Sequence, residues 1–173
     1  MLTNTTTEPL YGLRQLAAGM HAVRQNTILI AEDIPESSYD FRATPGTRSI
    51  AETLVHIAWR WTSDRLLHEE LHLDSVETYD FPALLETSTV EERRPRSKEE
   101  IIDHLRTEGD RWVRWVEGLS DSFVAEQVRL PGGASVSRFE WLLATKEHEI
   151  HHRAQIMLME RMLGIVPRFT GLA

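Results

Sequence analysis

The chain contains no cysteine among its 173 residues. That removes disulfides, a thiolate nucleophile and every cysteine-based zinc or iron–sulfur site, and it fits a reducing, cytoplasmic setting. Long apolar runs are missing too. None approaches the roughly 20 residues needed to span a bilayer, and residues 1–8 are polar, with no basic stretch leading into an apolar one as in a secretory signal. Basic charge is scarce: 19 Lys and Arg stand against 27 Asp and Glu, a net charge of −8. With no basic stripe to track a phosphate backbone, nucleic acid is not an expected partner. The one basic cluster (Arg93, Arg94, Arg96 and Lys98) follows Glu91 and Glu92 and reads as a solvated loop of mixed charge. The length suffices for one domain with a substantial core, so we expect a single domain over residues 1–173, soluble and cytoplasmic.

What is present is helical periodicity. Residues 8–34 carry Leu16, Met20, Val23, Thr27, Ile30 and Ile34 in alternating steps of four and three, closed by Pro35. A second helix is expected from an N-cap at Thr47 to about Leu71, with Ile50, Leu54, Ile57 and Trp61 in one row. Ser97 and Glu100 form a capping box for a third, which continues through Ile101, Leu105, Trp112, Val116 and Leu119. The fourth runs from about Ser137 to Leu163, with Gly164 as its stop. Between the second and third helices, residues 72–96 read as a long connection with at most a short helical turn at 81–86. Such long ordered loops are often functional. Residues 127–130 are briefly extended before the turn Pro131-Gly132-Gly133. Four long amphipathic helices around one core make an all-α, four-helix bundle.

The fourth helix carries the most informative feature, His148-Glu149-Ile150-His151-His152. His148 and His152 lie four apart, on one helical face about 6 Å apart along the axis, and can coordinate one ion from one rigid element. They fall in the seam Trp141, Thr145, His148, His152, Gln155, Met159, Met162, where an imidazole needs hydrogen-bond partners or a metal. A His pair at this spacing also arises by chance in a chain with eight histidines, and most histidines on apolar faces are ordinary core residues; the seam position favours a site. A catalytic metal usually takes three protein ligands. His21 lies off its helix's apolar row, and His68 and His72 lie where exposure is expected. His104 sits about 80° from the centre of its row and His56 about 130°, so periodicity mildly favours His104 without deciding.

A resemblance bears on that choice. Ser49-Ile50-Ala51-Glu52-Thr53-Leu54-Val55-His56-Ile57-Ala58, followed by His148-Glu149-Ile150-His151-His152-Arg153-Ala154-Gln155-Ile156, resembles the DinB family of metalloenzymes, four-helix bundles of the DinB/YfiT-like type. The likeness extends to the 39–46 loop, the Pro-Gly turn before the last helix and the Gly164-Ile165-Val166-Pro167 tail; Ala154 stands where the family usually has Gly. The resemblance implies a divalent metal held by His56, His148 and His152, with His151 orienting a neighbour or facing a partner chain. Ser49, Thr53, Arg60 and Ser63 share the side of the helix that bears His56 and would line a pocket on the bundle's flank.

Three neutral imidazoles suit zinc, nickel or iron(II). Such an ion activates bound water or converts a bound thiol to thiolate. The resemblance implies the second chemistry, since the wider superfamily includes thiol-dependent S-transferases and isomerases. The expected function is therefore a metal-dependent transfer to a small electrophile, with a low-molecular-weight thiol as cosubstrate. The alternatives are a metal-dependent hydrolase and a non-enzymatic metal- or small-molecule-binding stress protein. His148-Glu149-Ile150-His151-His152 also fits H-E-x-x-H, but the extended metzincin pattern would need Gly at Gln155 and His at Leu158. Glu149, one position off the seam, is expected to be solvated or to support a ligand. A homodimer is expected from the resemblance and from Trp59 and Trp61, which point in different directions.

Overall fold

The computed structural model describes residues 11–168. Its long helices are α1 (Leu13–Asp33), α2 (Ile50–Arg65), α4 (Lys98–Glu117) and α6 (Arg138–Met162), with α3 (Phe81–Arg93) and the short α5 (Asp121–Ala125) between them. Three of the long helices begin with the same device. Ser49, Ser97 and Ser137 each accept from the backbone N–H three residues on, while Glu52, Glu100 and Glu140 reach back to the cap's own N–H. Each box satisfies two donors that the first helical turn leaves unpaired. Helix α2 thus starts at Ser49, two residues later than expected, because Thr47 is used in a turn with Thr44. The expected start of α1 near Glu8 falls partly outside the described residues; within them the helix begins after Gly12.

Helix α1 packs on α4 and α6, and α2 lies against α3, α4 and α6. One end of the core holds Ile30, Ile34, Ile50, Leu54, Ile57, Leu105 and Ile156, and the other is built around Trp61 and Trp112, with Leu16, Met20, Val116 and Leu142. Trp61 is thus a core residue, whereas Trp59 is half-buried. Strands β1 (Gln127–Arg129) and β2 (Ser135–Ser137) pair antiparallel, with Val128 opposite Val136, so the segment expected to be extended is one arm of a hairpin leading into α6. Gly164, at φ 78°, takes the left-handed conformation that ends α6. Among the described residues no helix is long and apolar enough to cross a membrane.

Two expectations are corrected. The long connection before α4 contains a 13-residue helix, α3, capped by Asp80 with a proline in its first turn. It was invisible to apolar periodicity because its buried residues are the polar Ser88 and Glu92. The inward face of α6 is also rotated relative to the expected seam. Leu142, Thr145, Glu149, His152, Ile156, Met159 and Glu160 are buried, whereas Gln155 and Met162 are exposed and His148 is half-buried. The cause is Glu149. It is fully buried, not solvated, and accepts hydrogen bonds from Arg24 Nε and Nη2 at 3.0–3.2 Å. This ion pair turns the histidines to the edge of the core.

Candidate metal centre

At that edge α2 and α6 bring three imidazoles together. His56 and His148 approach through their Nε2 atoms at 3.0 Å, and His152 Nε2 lies 3.1 Å from His148 Nε2. The other ring nitrogens of two of them are engaged. His56 Nδ1 donates to Glu92 Oε1 at 2.7 Å, and His152 Nδ1 donates to Gln155 Oε1 at 2.8 Å. With the protons on Nδ1, the Nε2 atoms of His56 and His152 present lone pairs. Both lone pairs aim at the same atom of His148, which has at most one proton there to donate to one of them. Hydrogen bonding cannot satisfy this arrangement, and a cation can. Three nitrogens around one zinc-sized ion at roughly 2.0–2.1 Å stand about 3.3 Å apart at tetrahedral angles, close to the two separations from His148, and all three ligand atoms lie within 4.8 Å of one another. The donor set therefore fits a divalent ion.

The electrostatics agree. Burial, then the neighbouring His152 and His56 and the Arg60 guanidinium, push the His148 imidazole down to about 3. His152 is lowered to about 4, chiefly by burial. Both rings are thus neutral at physiological pH, the state that metal ligation requires. Glu92 remains anionic. Burial alone would raise its carboxyl, but hydrogen bonds from His56 and Arg48 bring it to about 2. Arg48 Nε reaches Oε2 at 2.6 Å, and Ser88 Oγ donates to Oε1 at 3.1 Å.

Glu92 is the residue that the sequence did not reveal, since it lies on α3 where no apolar stripe marks a helix. Its only local signal is Ser88 one turn before it. His151 is exposed, accepts from Gln155 Nε2 at 3.1 Å and meets the His152 ring edge-on, with centroids 5.0 Å apart. His104, which periodicity favoured, is half-buried on α4 near Glu108 and does not join the cluster; His21 and His72 are exposed. His68 is buried rather than exposed. It receives Arg138 Nη1 on Nδ1 at 2.9 Å and packs edge-on against Trp141, because the last turn of α2 widens into a π-helical turn over Leu66–Glu70. Of the polar residues expected beside His56, Ser49 and Thr53 are buried by their backbone bonds at the head of α2, Ser63 is buried too, and Arg60 stays one-third exposed.

Beside the triad lies an open cavity of about 970 Å³, lined among others by Arg48, Glu92, Arg93, His152, Leu158 and Met159. Its size matches small-molecule sites. No buried nucleophile faces the histidines from a cysteine, since the chain has none.

Residues 20–156 match the DinB superfamily. The chain belongs to that superfamily. No curated protein matches its sequence. Solved structures share its fold at low identity. YfiT from Bacillus subtilis, described as a probable metal-dependent hydrolase with an unusual four-helix bundle topology, is 15% identical at a TM-score of 0.70, with 94% of both chains covered. A DinB family member from Exiguobacterium sibiricum is 20% identical at 0.64, covering 88% of this chain and 91% of that one. The mycothiol-dependent maleylpyruvate isomerase is 10% identical at 0.67, with 84% of this chain matching 61% of that protein. The DinB/YfiT-like four-helix bundle expected from the sequence is thus the fold of this member of the superfamily.

Proposed function

We propose that His56, His148 and His152 hold one divalent ion, zinc or nickel before iron, and that the protein is a metal-dependent enzyme acting on a small molecule in the adjoining cavity. One observation carries this: lone pairs of His56 and His152 converge on the same His148 nitrogen, which cannot satisfy both. Three neutral imidazoles leave the ion's charge undiminished, and three protein ligands leave coordination positions for another group. The ion supplies Lewis acidity; the chain supplies orientation, through Glu92 on His56 and Gln155 on His152, and a wall of arginines and apolar residues. The nucleophile comes from outside. The reading we favour is that a low-molecular-weight thiol would add to an electrophile here, a bound ion being able to lower the thiol's pKa, and the mycothiol-dependent isomerase of the same fold supports it. Activated water is the second reading, supported by the hydrolase description of YfiT.

Two further parts of the proposal concern setting. Exposed Ile150, Leu158 and Met162 repeat along one side of α6, an apolar ridge that a second copy of the chain would cover, and the absence of cysteine fits the cytoplasm. The test uses protein purified without an affinity metal. We expect one divalent ion per chain, metal-dependent conjugation of a small electrophile to a common cellular thiol, and sedimentation at twice 19.9 kDa. Metal-dependent ester or amide hydrolysis without conjugation selects activated water. Absence of stoichiometric metal refutes the centre.

A further inference from the structure

Arg60 stands one turn along α2 from His56, and Thr145, which shares Asp64 with it, stands one turn before His148 on α6. Arg60 Nε donates to Asp64 Oδ2 at 2.8 Å. Asp64 is fully buried, and its carboxylate is held in turn by Trp141 Nε1 on Oδ1 at 3.0 Å and by Thr145 Oγ1 on Oδ2 at 2.5 Å. Burying a carboxylate is costly unless it is paired. Neither of the two donors from α6 is charged, so the group that balances Asp64 is Arg60.

The guanidinium is only half used by this arrangement. Among the described residues the Arg60 side chain has no hydrogen bond beyond the one to Asp64, and a third of it is exposed (33%). The buried arginines differ. Arg24 spends Nε and Nη2 on Glu149 and Nη1 on the Leu105 carbonyl, and Arg138 is divided between Glu126 and His68. Arg60 is pinned through Nε, with the planar pair Nη1 and Nη2 left over. That pair matches the two oxygens of a carboxylate. A guanidinium fixed beside a divalent ion on neutral ligands repels it until an anion joins them.

Arg60 lies outside the lining of the cavity, and we propose that it recognises a carboxylate on the part of the bound molecule that reaches past the triad, while Asp64, Trp141 and Thr145 hold Arg60. The proposal rests on the metal reading above and adds the charge class of the ligand.

The test uses the full chain loaded with cobalt(II), whose d–d absorption reports metal occupancy, with benzoate as the probe and benzamide as its neutral isostere, both followed by calorimetric titration. We expect benzoate to bind the wild type more tightly than benzamide does. Arg60→Gln should weaken benzoate at least tenfold, leaving benzamide binding and the ligand-free cobalt spectrum unchanged. Arg60→Lys keeps a cation opposite Asp64 and protects folding, but lacks the planar fork and should also weaken benzoate several-fold. A merely structural Arg60 would lower the melting temperature and leave the benzoate-to-benzamide preference intact, which overturns the proposal. Full cobalt occupancy with no preference for benzoate also overturns it while leaving the metal reading standing. Absence of the cobalt band removes both, through a different signal.

Discussion

Helix α6 carries two buried polar clusters on adjacent residues, and they are opposites. Glu149 points into the bundle, where Arg24 supplies hydrogen bonds from two nitrogens and itself donates to the Leu105 carbonyl and stacks over Trp61 at 3.8 Å. Gly109 makes room for it, since a Cβ there would stand 2.7 Å from Arg24 Cγ. That cluster is closed. His148, the preceding residue, meets His56 and His152 with more lone pairs than protons between them. A polar group that is satisfied from within the chain is architecture. One whose partners all point at the same unfilled valence is a site.

The largest expected effects come from exchanging the two roles. Glu149→Gln leaves the Arg24 charge buried without its counter-charge, which costs about 3–5 kcal/mol, while the folded fraction still binds one ion. His148→Ala does the reverse: metal binding is lost, and the metal-free chain changes by less than about 1 kcal/mol. Chemical denaturation of metal-free protein, with metal analysis of the folded fraction, checks both. Metal loss in Glu149→Gln at unchanged stability would break the comparison.

A smaller effect sharpens it. If Glu92 orients His56, then Glu92→Gln should weaken metal binding about 10–100-fold, read by competition with a chromophoric chelator. An unchanged affinity would make Glu92 only a clamp between α3 and Arg48.

The smallest effect concerns His68, whose Nδ1 is met by Arg138 while its buried Nε2 has no hydrogen-bond partner among the described residues. Burial and then the Arg138 charge lower its imidazole to about 3, so it stays neutral in the fold at pH values where the unfolded chain, near 6.5, takes up a proton. Its contribution to stability is complete above about pH 6.5 and is lost as pH falls towards 3. Between pH 7 and pH 5 the wild type should lose about 1–2 kcal/mol more than His68→Gln. Parallel losses, measured by urea titration, would show that His68 is not held neutral.

Much of the fold was legible because its signals are local. The box of Ser97 and Glu100 marks a helix start, Gly164 marks an end, and the apolar rows of α1, α2 and α4 needed no partner to be recognised, although Thr47 masked the box at Ser49. The pair His148 and His152 was legible for the same reason, being one turn apart on one helix. His56 was not: its helix's apolar row points away from it, and only the family resemblance chose it over His104. Glu92 was hidden because α3 turns polar residues inward, and the buried Glu149 because a carboxylate reads as solvated until Arg24 is seen opposite it.

By itself, then, the sequence determined the four long helices, most of their ends, the pair of imidazoles and the superfamily, since each depends on residues close along the chain or on a motif carried whole. Tertiary structure alone decided which way α6 faces, which polar groups are spent on one another and which remain for a ligand. The reason is that the deciding hydrogen bonds join residues 36 to 125 positions apart in the chain, and no local pattern records whether a distant partner arrives.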